Sequence, residues 1–141
     1  MDRGVWSDET DVRPTLLALT GLRDSYRHDG RVLSEVLRHP LGPAYEQLAA
    51  ALKRIDAPVG PLGLASLAVA SAAIESDQPG DTAYQAYLAR MASVTARRDA
   101  LAGLILGQLE SAAFAGRPLS PETARSEAAQ ADALVAEMSS S

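Results

Sequence analysis

The 141-residue sequence predicts an all-α protein: short N-terminal helices, then a three- to four-helix bundle or hairpin containing one long helix at about 81–115. Three observations carry this. Aromatic residues make up only 4 % of the chain, so any core must be built from Ala and Leu, which favours close helix–helix packing over a sheet sandwich. Tyr84, Leu88, Met91, Thr95, Arg98, Ala102, Ile105, Leu109 and Ala112 keep an unbroken alternation of four- and three-residue steps, the period of a helical seam. Proline and glycine clusters at 39–43, 57–61, 76–80 and 116–118 cut the chain into helix-length pieces.

Residues 1–10 are polar and irregular, with Val5 and Trp6 as anchors, and Trp6 is expected to pack rather than bind. Asp11 is placed to cap a short helix, Pro14 falls in its first turn, and Gly21 supplies the φ > 0 stop, with Leu22 folding back onto Leu17. Val12, Leu16, Leu17 and Leu19 give that helix an apolar face. An Asp29-Gly30 turn leads to a second short apolar face, Val32, Leu33, Val36 and Leu37, which ends before His39-Pro40.

The seam Leu41, Tyr45, Leu48, Leu52 and Ile55 predicts a helix from Pro43 to Ile55. A third segment, Leu62 to about Glu75, carries Leu64, Leu67, Ser71 and Ile74 on one side. The long helix, from about Asp81 to Ala115, measures about 50 Å at ~1.5 Å per residue, too long for one small globule to cover. Gly103 and Gly107 each cost a helix interior about 1 kcal/mol, which predicts a tightly packed neighbour. Ser120-Pro121-Glu122 opens a last helix with the seam Ala124, Ala128, Ala131, Val135 and Met138, and the short link before it predicts an antiparallel hairpin.

Composition narrows the function. The formal charge of −5 argues against a general nucleic-acid binder, and the absence of cysteine removes disulfides, thiolate nucleophiles and thiolate metal sites. MDRGVWSDET lacks the apolar stretch of a signal peptide, and the apolar runs fall short of the ~20 residues that cross a bilayer. Made as this chain, the protein is expected to be soluble and cytoplasmic, with no membrane partner.

His28 and His39 adjoin turns and stand in neither Asp-x-His nor His-x-x-x-His spacing, so turn-side polar contacts are expected of both. Asp24, Asp29 and Arg31 predict an intra-turn salt bridge, since the two acids would repel an anionic ligand. Arg98, on the long seam, is expected to pair with an acid on a neighbouring helix, while Glu35, Glu46 and Glu75 read as surface charges. No Gly-rich phosphate loop follows a strand and no Gly-x-Ser-x-Gly elbow occurs. No residue is assigned as catalytic, cofactor-binding or metal-ligating.

The order Asp11-x-x-Pro14-Thr15, Gly21-Leu22 and Asp29-Gly30-Arg31 before an apolar segment resembles the end of the catalytic domain in the alkaline phosphatase superfamily, which includes sulfatases and type I phosphodiesterases. The lead-in GVWSDET is similar to that of bacterial phosphoesterases of this group, although Glu9 stands where many members carry His. YEQL, GPLGLASL, RRDALAGLI and AAFAG, in that order, resemble the helical C-terminal extension of some of these bacterial proteins.

The resemblance implies a division into residues 1–40, a remnant of the catalytic domain's end, and 41–141, the helical extension. It implies a non-catalytic piece whose Leu16 and Leu17 lie on a sheet encoded elsewhere, with an upstream catalytic domain as partner. Divalent metals and ester hydrolysis would belong to the full-length member, which the resemblance allows to be exported. The other reading is a free-standing interaction module that oligomerises through the 84–112 seam.

Overall fold

A computed structural model describes residues 7–57, 59–75 and 82–140. The expectations for Val5, Trp6, the 76–80 breaker and the start of the long helix at Asp81 lie outside the described residues. The chain is all-α: α1 (Val12–Thr20), α2 (Pro43–Asp56), α3 (Pro61–Ile74), α4 (Thr82–Ala115) and α5 (Pro121–Ser139), with single 3-10 turns at Glu9–Asp11 and Ser34–Val36. No strand occurs among the described residues.

Local chemistry sets most boundaries. Pro43, Pro61 and Pro121 each stand in a first turn, where a missing N–H costs nothing. Ser120 caps α5 by accepting from the Thr123 N–H. Gly21 takes φ 69°, and the Leu22 and Gly21 N–H groups donate to the Leu17 and Ala18 carbonyls, closing α1 in the Schellman pattern.

The core is organised by α2 rather than by the long helix. Tyr45, Leu48, Leu52 and Ile55 are all at most 3 % exposed, and α2 packs on α3, α4 and α5 together. From α4 come Val94, Leu101, Ile105 and Leu109; from α5 come Ala124, Ala131, Leu134 and Met138. The pairs Arg97–Glu137 and Gln108–Glu127 show α4 and α5 running antiparallel, as the short link predicts. Yet α5 lies most closely on α2 and only lightly on α4.

The 84–112 seam is therefore largely used inside the chain. Ala102, Ile105 and Leu109 are buried and Met91, Thr95, Arg98 and Ala112 half-buried, while Tyr84 and Leu88 remain 41 % exposed. Gly103 does meet a close neighbour, the Arg27 guanidinium, which donates to the Gly103 carbonyl at 3.0 Å. Gly107 does not, since a Cβ built there finds nothing within 4 Å. By length and hydropathy the run Pro43–Ile74 passes for a membrane span. It is two helices, because Ala57 is extended after α2, and α3 alone has 14 residues against the ~20 required.

Candidate functional site

The stretch with the most distinctive sequence is fastened to α2 by its polar side. Asp11 holds the N-cap position of α1 without a side-chain cap bond, and the capping box belongs to the preceding 3-10 turn: the Asp8 carboxylate accepts from the Thr10 N–H, and the Asp11 carboxylate accepts from the Asp8 N–H. Asp11, 0 % exposed, also accepts from the Arg31 N–H at 2.9 Å and lies 3.1 Å from the Lys53 ammonium, which reaches Asp8 at 2.7 Å as well. The expectation of Asp11 as a side-chain helix cap fails because this carboxylate has been recruited to a longer-range task.

Thr15 completes the fastening. Its hydroxyl donates to the Asp11 carbonyl and accepts from the Leu33 N–H at 2.9 Å. Gly30 passes so close to this turn that a Cβ would lie 2.3 Å from the Thr10 carbonyl carbon and oxygen. Arg31, 1 % exposed, forms a two-pronged pair with Glu35 at 2.6 and 2.8 Å, so neither Asp24 nor Asp29 is its salt-bridge partner and Glu35 is not a free surface charge. The Tyr45 hydroxyl donates to the Val32 carbonyl, and burial, against the pull of Arg31, pushes its phenol well above the usual range.

Helix α1 is two-sided. The helix buries Pro14 and Thr15, whereas Val12, Leu16 and Leu19 are 52 %, 56 % and 52 % exposed. The apolar stripe, with Leu22 beyond it, points away from the chain's own core.

The histidines differ. The His28 Nε2 lies 3.2 Å from Asp24 Oδ1 and its ring packs by Phe114, a turn-side contact of the expected kind. Asp24 is also held by Arg13 at 2.6 Å, and although burial pushes its carboxyl up, the Tyr26 N–H that donates to it, with Arg13 and His28, brings it below the usual range. His39 is exposed. Arg98 lies 3.5 Å from Asp56 on α2 and 2.7 Å from Asp99, the neighbouring-helix pairing expected of it. Burial raises the Asp56 carboxyl despite Arg98.

Among the described residues no three His, Asp or Glu side chains converge as metal ligands would. The clustered acids Asp8 and Asp11 already share one ammonium. Such an arrangement holds structure rather than activating a water or phosphate. Clefts of about 430 and 190 Å³ lie beside Leu104 between α4 and α5, and beside Arg98, and neither holds a nucleophile oriented by a base. No protein-family model, curated protein or solved structure matches the chain.

Proposed function

We propose that the chain is a non-catalytic C-terminal helical piece of an alkaline-phosphatase-superfamily phosphoesterase, with a structural or association role. The observation that carries the reading is the two-sidedness of α1. Its polar side is committed to residues 31–33 through Asp11 and Thr15 and to α2 through the Asp11–Lys53 pair, while Val12, Leu16 and Leu19 form an outward apolar stripe. A segment shaped to lie between a helical extension and a catalytic sheet has this form. The ordered residues Asp11, Pro14, Thr15, Gly21, Gly30 and Arg31 support it, because most of them serve the fastening and the helix stop. In this reading the divalent metals and the hydrolysis belong to the upstream catalytic domain, and this chain covers or assembles it.

The second reading, a free-standing association module, is supported by a core that closes on its own residues from α2, α4 and α5. Only Tyr84 and Leu88 of its proposed seam are open to a partner. Two experiments test the first reading. Coding DNA upstream of Met1 is expected to continue, in frame or after a frameshift, into an Asp and His ligand set. The purified chain is expected to release no nitrophenol from its phosphate ester with added zinc or magnesium. Metal-dependent release, or upstream DNA with no such set, overturns the reading.

A further inference from the structure

The outer side of α3 carries a second apolar surface, separate from α1. Leu64, Leu67 and Ile74 are 55 %, 63 % and 73 % exposed and, with Ser71, follow steps of three and four residues, so they form one ridge along the helix. One residue further on, about 100° round the helix, Ala65, Ala68, Val69 and Ala72 line a cleft of about 260 Å³ closed by Met138 and Ser139 of α5. From Pro61 to Ile74 there is no charged side chain, on a protein of formal charge −5.

We infer that α3 docks a second copy of this chain, the ridge of each copy entering the cleft of the other about a two-fold axis. Three features select this occupant. A ridge and an adjoining cleft on one helix are self-complementary, as an isologous contact demands. The charge-free helix lets two equally acidic molecules meet without stripping water from a charge or opposing like charges. The size also fits a modest dimer. A 14-residue helix is about 21 Å long and 10–12 Å across, so its outward half offers on the order of 400 Å², about half of the ~800 Å² per partner in a standard interface. The dimer is accordingly weak and reversible.

The inference rests on the association half of the reading above but not on its ancestry. Sedimentation velocity from about 1 to 500 μM tests it. The wild-type chain is expected to pass from monomer to dimer, and Leu67→Glu on the ridge and Ala68→Leu in the cleft each weaken the dimer at least ten-fold. Both variants keep the wild-type circular dichroism, because both positions are exposed. Leu19→Glu on α1 is expected to leave the dimer unchanged. A wild-type chain monomeric throughout overturns the proposal, as does a dimer indifferent to the two α3 variants. Loss of the dimer in Leu19→Glu alone also overturns it while leaving the α1 reading intact. So does a monomer that co-sediments with phosphatidylcholine vesicles through Leu67, which would make α3 a lipid-facing surface.

Discussion

Asp11 and Lys53 lie 42 residues apart in sequence and 3.1 Å apart in space, with the carboxylate entirely buried and the ammonium side chain 8 % exposed. This contact ties the N-terminal turn to the central helix. Removing one partner strands the other in a poorly hydrated place, so Lys53→Met is expected to cost about 3–5 kcal/mol. Asp11→Asn with Lys53→Met should cost clearly less than the two single changes summed, because no fully buried charge is then left unpaired, and the Asp8 carboxylate that also loses Lys53 is 40 % exposed. Urea denaturation of the four proteins measures the coupling. Additive losses would show that the pair is not a functional unit.

Two glycines separate close approach from mere composition. Gly30→Ala drives a Cβ into the Thr10 carbonyl and is expected to cost several kcal/mol or to dislodge the turn. Gly107→Ala meets open space within α4 and should stabilise the protein by up to about 1 kcal/mol through helix propensity. Thermal melts should therefore move in opposite directions.

Acid should loosen the same N-terminal fastening. Burial pushes the Asp8 carboxyl up, but the Lys53 ammonium and Thr10 bring it below the ordinary range; the Arg31 guanidinium does the same for Glu35, against burial. Groups with lowered folded values contribute stability above the unfolded values of about 3.9 and 4.3, and lose it as pH falls through the folded values. Asp56, raised by burial, acts the other way: its charged form costs stability near neutrality, and that cost is relieved first on acidification. The melting temperature should hold or rise slightly as pH falls toward the unfolded carboxylate value of about 4, and fall below it. Glu35→Gln should flatten the fall, and Asp56→Asn should remove the preceding rise.

The exposed face of α1 should be neutral to folding. Leu16→Lys with Leu19→Lys is expected to change stability by less than about 0.5 kcal/mol per site, because neither leucine fills the core. Leu48→Ala, at a site with no exposure, should cost about 2–5 kcal/mol. Equal losses in the two variants would mean that α1 is already covered.

Much of the architecture was legible in the sequence, because proline, glycine and helical period act locally. Pro43, Pro61, Ser120-Pro121 and Gly21 marked helix ends to within a residue or two. What was not legible depended on distance along the chain. No local signal joins Lys53 to Asp11, or Tyr45 to the Val32 carbonyl. Asp8, followed three residues later by Asp11, did carry a capping-box signal, but Asp11 alone drew the reading of a cap. The apolar period of α1 correctly marked one face of a helix, yet periodicity does not say whether that face turns toward the chain's own core. Similarly, the period of the long seam does not say whether a helix of this chain or another chain covers it, because its partners, α2 and α5, come from elements that sequence order does not juxtapose.

Thiol accessibility at position 16 tests the two-sided α1 most directly, since the chain has no cysteine and a single introduced one reports alone. Leu16→Cys should react with an aromatic disulfide reagent in the folded chain nearly as fast as after urea denaturation, while Leu48→Cys reacts at least a hundred-fold more slowly. If the thiol at 16 is as protected as the one at 48, the stripe is already enclosed, and no face of α1 remains for a catalytic domain to cover.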